Sequence, residues 1–83
     1  MTNGRIDRME NLISREVTQL VNDIGDEIEL EIFQYIDHYS VTATICPDTP
    51  PFKDYIATGS DRHSKRKAMK KALKELYLKA YYQ

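Results

Sequence analysis

The sequence has one cysteine, three glycines, three prolines and no tryptophan in 83 residues. The single cysteine, Cys46, excludes an internal disulfide and suits a reducing, cytoplasmic setting. Next to Pro47 it reads as a small buried hydrophobe rather than a reactive thiol. No apolar run approaches the ~18 residues of a membrane span. The opening Met1-Thr2-Asn3-Gly4-Arg5 lacks the apolar core of a secretory signal. There is no glycine-rich phosphate loop and no nucleophile motif. His38, His63 and Cys46 do not have the close spacing of a structural zinc site. These absences point away from an enzyme, from a metal or any other cofactor, and from a membrane protein.

The chain is short enough for one domain over 1–83, with residues 1–4 expected to fray. Hydrophobic residues make up 41% and charged residues 30%, enough for a small core but not for a deep enclosed pocket. The net charge of −1 conceals an uneven distribution. Residues 1–37 hold nine acids and three bases, whereas residues 38–83 hold four acids and nine bases. Such asymmetry hints at a nucleic-acid partner. It equally fits an acidic element neutralising a basic one, or a homodimer of two copies meeting head to tail.

From Arg5 to Asp23, apolar residues at Ile6, Met9, Leu12, Ile13, Val17, Leu20 and Val21, continued by Ile24, carry helical spacing, and Gly25 supplies a left-handed stop. The period then falls to two. Ile28, Leu30 and Ile32 alternate with Glu29, Glu31, Phe33 and Tyr35, the signature of a strand with one face on a core. A tight turn at 35–39 leads into a second run, in which Val41, Ala43 and Ile45 alternate with Ser40, Thr42 and Thr44, so a hairpin is expected. The prolines of 46–51 make a rigid loop. Phe52 to Thr58 reads as a shorter third strand ended by Gly59-Ser60-Asp61, and a last helix runs from about Ser64 to Tyr82 with Asp61 or Ser64 as its N-cap. The expectation is an α+β, two-layer α-β-β-β-α domain: a three-stranded antiparallel sheet with both helices packed on one face.

The last helix is the chemically distinctive element. Ala68, Met69, Ala72, Leu73, Leu76 and Ala80 form its apolar stripe, and Arg66, Lys67, Lys70, Lys71 and Lys74 gather opposite. Between Arg62 and Lys74 there are seven lysines or arginines and no acid. A helix N-terminus favours acidic side chains by about 0.3–1 kcal/mol each, yet this one opens Lys65-Arg66-Lys67. A solvated face that keeps the protein soluble would explain the cluster. So would an anion, phosphate above all, docked against it, and the violated first turn favours that reading.

The run Ser64-Lys65-Arg66-Lys67-Ala68, in its element order and after Ile56-Ala57-Thr58-Gly59, resembles the double-stranded RNA-binding domain. In that family a Ser-Lys-Lys-x-Ala-Lys segment opens the second helix and its lysines reach phosphates across a major groove. Ser64, Lys65, Arg66 and Ala68 match that segment, while Met69 stands where the family has its last lysine. The resemblance implies a non-enzymatic module that binds duplex RNA through Arg62, Lys65, Arg66, Lys67, Lys70, Lys71 and Lys74, with Arg15 or Gln19 of the first helix assisting.

The alternative is a protein-interaction domain on the same scaffold, such as a small inhibitor acting by charge complementarity. The acidic segment Asp26–Glu31, with Glu29 and Glu31, or else the basic helix would then dock another protein, and Tyr77 and Tyr81, lying off the apolar stripe, would mark a contact surface. Phe33 and Tyr35 could stack bases on the outer sheet face, or pack against cross-strand neighbours. Reading a DNA major groove with the sheet ranks last, because that face offers Glu29 and Glu31 rather than bases or amides.

Overall fold

The computed structural model describes residues 12–47 and 53–82. Four strands and one helix follow in order: β1 (Leu12–Val21), β2 (Glu27–Tyr35), β3 (Tyr39–Cys46), β4 (Tyr55–Asp61) and α1 (Lys65–Tyr81). Every neighbouring pair is antiparallel and the spatial order is β1-β2-β3-β4, a meander. The expected three-stranded α-β-β-β-α domain with two helices is therefore corrected. Among the described residues the fold is α+β with a four-stranded sheet and a single, C-terminal helix.

The correction falls on the segment expected to be the first helix. Its part from Leu12 onward is β1, and its part at 5–11, with Ile6 and Met9, lies outside the described residues. The spacing of Leu12, Ile13, Val17, Leu20 and Val21 fits a helix, but Ile13, Val17, Thr18 and Val21 are β-branched, and β2 offers a complete ladder to pair with. Pairing decides the outcome. Val17 faces Glu31 and Val21 faces Glu27, so both valines stand on the outer side, and only Leu20, opposite Ile28, is drawn into the core. Ile13 is the extra residue of a bulge, where the register shifts between Leu12 and Ser14.

Gly25 does adopt a left-handed backbone, φ 101°, but it serves the β1–β2 turn and not a helix end. Asn22 organises that turn: its Oδ1 accepts the backbone N–H groups of Ile24, Gly25 and Asp26. The third expected strand also shifts. It begins at Tyr55 and continues through Gly59 to Asp61, while Phe52 and the loop residues 48–51 lie outside the described residues.

One face of the sheet carries the core. Ile28, Leu30 and Ile32 of β2, Val41, Ala43 and Ile45 of β3 and Ala57 of β4 are buried together with Ala68, Ala72 and Leu76 of α1. The register explains the alignment, since Leu30, Ala43 and Ala57 are consecutive cross-strand partners. Small residues bring the helix close. A Cβ placed on Gly59 would lie 2.5 Å from the Ala72 amide nitrogen and 2.7 Å from the Ala68 carbonyl oxygen. Gly59 is thus the saddle on which α1 rests.

The helix also covers one sheet edge. Lys71 Nζ donates to the Ser60 carbonyl at 3.0 Å, and Lys79 Nζ to the Ile56 carbonyl at 2.8 Å. Two backbone acceptors of the terminal strand β4 are thereby occupied by lysines, a recognised way of blunting an edge. At the other edge, β1 exposes Ile13 at 58% and Val21 at 63%.

Candidate nucleic-acid interface

The start of α1 is fixed by two polar side chains. Ser64 is the N-cap and its Oγ accepts the Lys67 N–H at 3.1 Å. Asp61, the last residue of β4, accepts the N–H groups of His63 and Ser64 at 3.0 and 2.9 Å through Oδ2. Both expected cap candidates are thus used, Ser64 inside the cap and Asp61 in the bend before it. The bonds from His63 and Ser64, with Lys71 beyond them, hold the Asp61 carboxyl below the usual aspartate value despite some opposing burial. No acidic residue lies in the first turn of α1.

Beyond that cap the basic residues split into two groups. Lys65 reaches Glu16 of β1 at 3.4 Å, and Lys71 is held by Ser60 and by Asp61 at 3.4 Å. Lys71, expected to contact phosphate, therefore has a structural task at the β4 edge. Arg66, Lys67, Lys70 and Lys74 are exposed and form no ion pair with a carboxylate among the described residues. Spaced at three and four residues, they run along one side of the helix for about 12 Å.

A shallow depression of about 510 Å3 adjoins this stripe, lined by Asp37, His38, Ser60, Asp61, Arg62, His63 and Lys71. It forms because Tyr39 pairs with Asp61, which brings the β2–β3 turn beside the β4–α1 bend. Asp37 Oδ1 lies 2.7 Å from His38 Nδ1. That hydrogen bond first, and the nearby Arg62 charge last, keep the Asp37 carboxyl below its ordinary value. Arg62 and Lys71 stand out in the sequence, but nothing in the sequence brings the two histidines together. Only the strand register across β3 and β4 joins residues 25 positions apart.

The acidic residues of β2 lie on the other side of the sheet. Glu27, Glu29 and Glu31 alternate with the buried Ile28, Leu30 and Ile32, so they project from the face opposite α1. Arg15 is on that outer face too, bound through Nε to Glu31 at 2.6 Å, and Gln19 pairs with Glu29. The expectation that Arg15 or Gln19 would assist from a first helix is therefore corrected. Phe33 and Tyr35 stack with centroids 6.2 Å apart, and Tyr35 stacks on His38 at 4.7 Å. Tyr77 and Tyr81 pack half-buried against the core at the far end of α1.

Cys46 is exposed, not buried as its sequence context suggested. Desolvation, then a hydrogen bond to Asp54, push its thiol above the ordinary value and away from thiolate reactivity. Among the described residues no cluster of histidine, cysteine or acidic side chains is gathered for a metal, and no helix is long and apolar enough to cross a membrane. No protein-family model matches the chain, and neither a curated protein nor a solved structure matches it.

Proposed function

We propose that this domain binds the phosphate backbone of nucleic acid, duplex RNA in the first place, through the exposed face of α1. The observation that carries the reading is the separation of charge by layers. Arg66, Lys67, Lys70 and Lys74 stand on the helix layer without carboxylate partners among the described residues, and Glu27, Glu29 and Glu31 project from the opposite sheet face. A duplex laid on α1 meets the cations and is kept from these three glutamates by the thickness of the domain. Arg62, at the junction depression, extends the surface beyond the first turn, and Asp37 and Asp61 in the same depression bound it there. The chemistry is electrostatic positioning with no bond made or broken.

The test is a titration of a labelled RNA duplex by anisotropy at several salt concentrations. The expected result is binding that falls steeply with salt, about 0.9 log units in affinity per log unit of salt for each phosphate neutralised, as on duplex DNA. The double reversal Arg66→Glu with Lys70→Glu abolishes it. Equal binding by that variant overturns the proposal. A DNA duplex and a single strand of matched length decide the preferred ligand.

A second reading, docking of a basic protein on the outer face, is favoured by the Glu27, Glu29 and Glu31 row, of which only Glu31 has an ion-pair partner among the described residues. Its mark is a protein partner lost on reversal of Glu29 and Glu31 while RNA binding is retained.

A further inference from the structure

At the end of α1 remote from its basic face lies a cleft of about 430 Å3, lined by Asn22, Asp23, Ile24, Tyr77, Tyr81 and Tyr82. Three of its six lining residues are tyrosines. Tyr77 and Tyr81 meet edge to face, centroids 5.4 Å apart and planes at 62°, so their rings form a corner and not a flat wall. That corner is rigidly held. The Tyr81 hydroxyl donates to Asp26 Oδ2 at 2.6 Å and accepts from Asn22 Nδ2 at 3.0 Å. Asn22 is itself locked by the three backbone N–H groups on its Oδ1. Ile24 and Tyr82, at 70% and 75% exposure, form the open rim.

Among the described residues, the charged side chains that line or back this corner are acidic. Asp23 lines the cleft, and the Asp26 carboxylate stands behind Tyr81. The α1 carbonyls end here, adding the partial negative charge of a helix C-terminus. The base in that last turn, Lys79, is drawn to the Ile56 carbonyl on β4. Aromatic faces, carboxylates and a helix C-terminus each attract a cation. A phosphate-bearing ligand is disfavoured by the same three features.

We propose that this cleft receives a cationic side chain, the guanidinium or ammonium of a basic segment on a protein partner, held over the tyrosine rings beside Asp23. Cation–π attraction supplies the contact with the rings, and the carboxylates supply the steering. The site does not depend on the nucleic-acid reading, because it shares no residue with the exposed basic face of α1.

The probe is an acetylated Gly-Arg-Gly-Arg-Gly amide peptide, titrated into the full chain labelled with nitrogen-15. Its control replaces both arginines by glutamine. The expected result is amide shifts centred on Ile24, Tyr77 and Tyr82 with the arginine peptide and none with the control. Tyr82→Ala, a change at an exposed ring, weakens binding about two- to fivefold, the scale of an exposed cation–π contact. Asp23→Asn weakens it by a similar factor, and Arg66→Glu with Lys70→Glu leaves shifts at the cleft in place. Absence of shifts at millimolar peptide overturns the proposal. So does equal binding of the glutamine control, or of both cleft variants, or a shift pattern confined to Glu29 and Glu31.

Discussion

Gly59 of β4 lies against the backbone of Ala72 in α1 so closely that no side-chain carbon fits between them: a Cβ would stand 2.5 Å from the Ala72 nitrogen. The neighbours at fault are the backbone atoms of Ala72 and Ala68 and the Cβ of Lys71, none of which can rotate away. Gly59→Ala must lift the helix from the sheet. The expected cost is about 1–3 kcal/mol, the range for overfilling a packed core. A urea melt followed by circular dichroism checks it, and an unchanged midpoint contradicts the close seating of α1.

Acid stability tests the two aspartates whose carboxyl groups the fold depresses. Asp61 and Asp37 both have carboxyl groups lowered from the ordinary 3.8, Asp61 chiefly by its backbone hydrogen bonds and Asp37 chiefly by His38. A lowered folded value means that the charged form is favoured in the native state. Their contribution is full above the unfolded value and is lost as pH falls through the folded one. The midpoint temperature of the wild type should fall more steeply below about pH 4 than that of Asp61→Asn. Parallel curves for the two proteins contradict the capping role of Asp61.

Alkali tests the opposite end of α1. Burial, then the hydrogen bond to Asp26, raise the Tyr81 phenol above its ordinary 10.0. Here the neutral form is favoured, so the stabilisation is full below pH 10 and is lost as pH rises through the elevated folded value. Tyr81→Phe removes the hydroxyl's two hydrogen bonds, to Asp26 and from Asn22, so it should cost about 1–3 kcal/mol at neutral pH and should flatten the alkaline loss. Thermal melts between pH 7 and 11 read both effects.

The unpaired and the engaged lysines should differ in one measurement. Lys70→Ala and Lys74→Ala each remove a cation without a carboxylate partner among the described residues, and each should reduce the salt slope of RNA binding by about one. Lys71→Ala removes a cation tied to Ser60 and Asp61, and should lower stability with a smaller change in slope. A larger slope change for Lys71 than for Lys70 reverses the assignment of roles.

The strands with a buried face were legible because alternation of two is hard to mistake: Ile28, Leu30 and Ile32, then Val41, Ala43 and Ile45, all lie where their parity puts them. The last helix and its Ser64 cap were legible for the corresponding reason, a stripe of small and apolar residues behind a serine. β1 was not. A strand at a sheet edge, open on its outer side, keeps few apolar residues on its core side. Leu20 alone joins the core there, beside Thr18, Glu16 and Ser14, and no alternation survives to be read. The junction depression stayed hidden for a separate reason. His38 and His63 become neighbours only through a ladder register, which no local pattern specifies.

The two rims of the sheet are unequal, and the inequality limits growth. With Lys71 and Lys79 seated on the Ser60 and Ile56 carbonyls, a further strand meets two occupied acceptors on that side, which disfavours addition at β4. Two copies joined β1 to β1 would each present a sealed margin outward, and association would stop at a pair. Removing both lysines would free the two β4 acceptors and ease strand addition on that side.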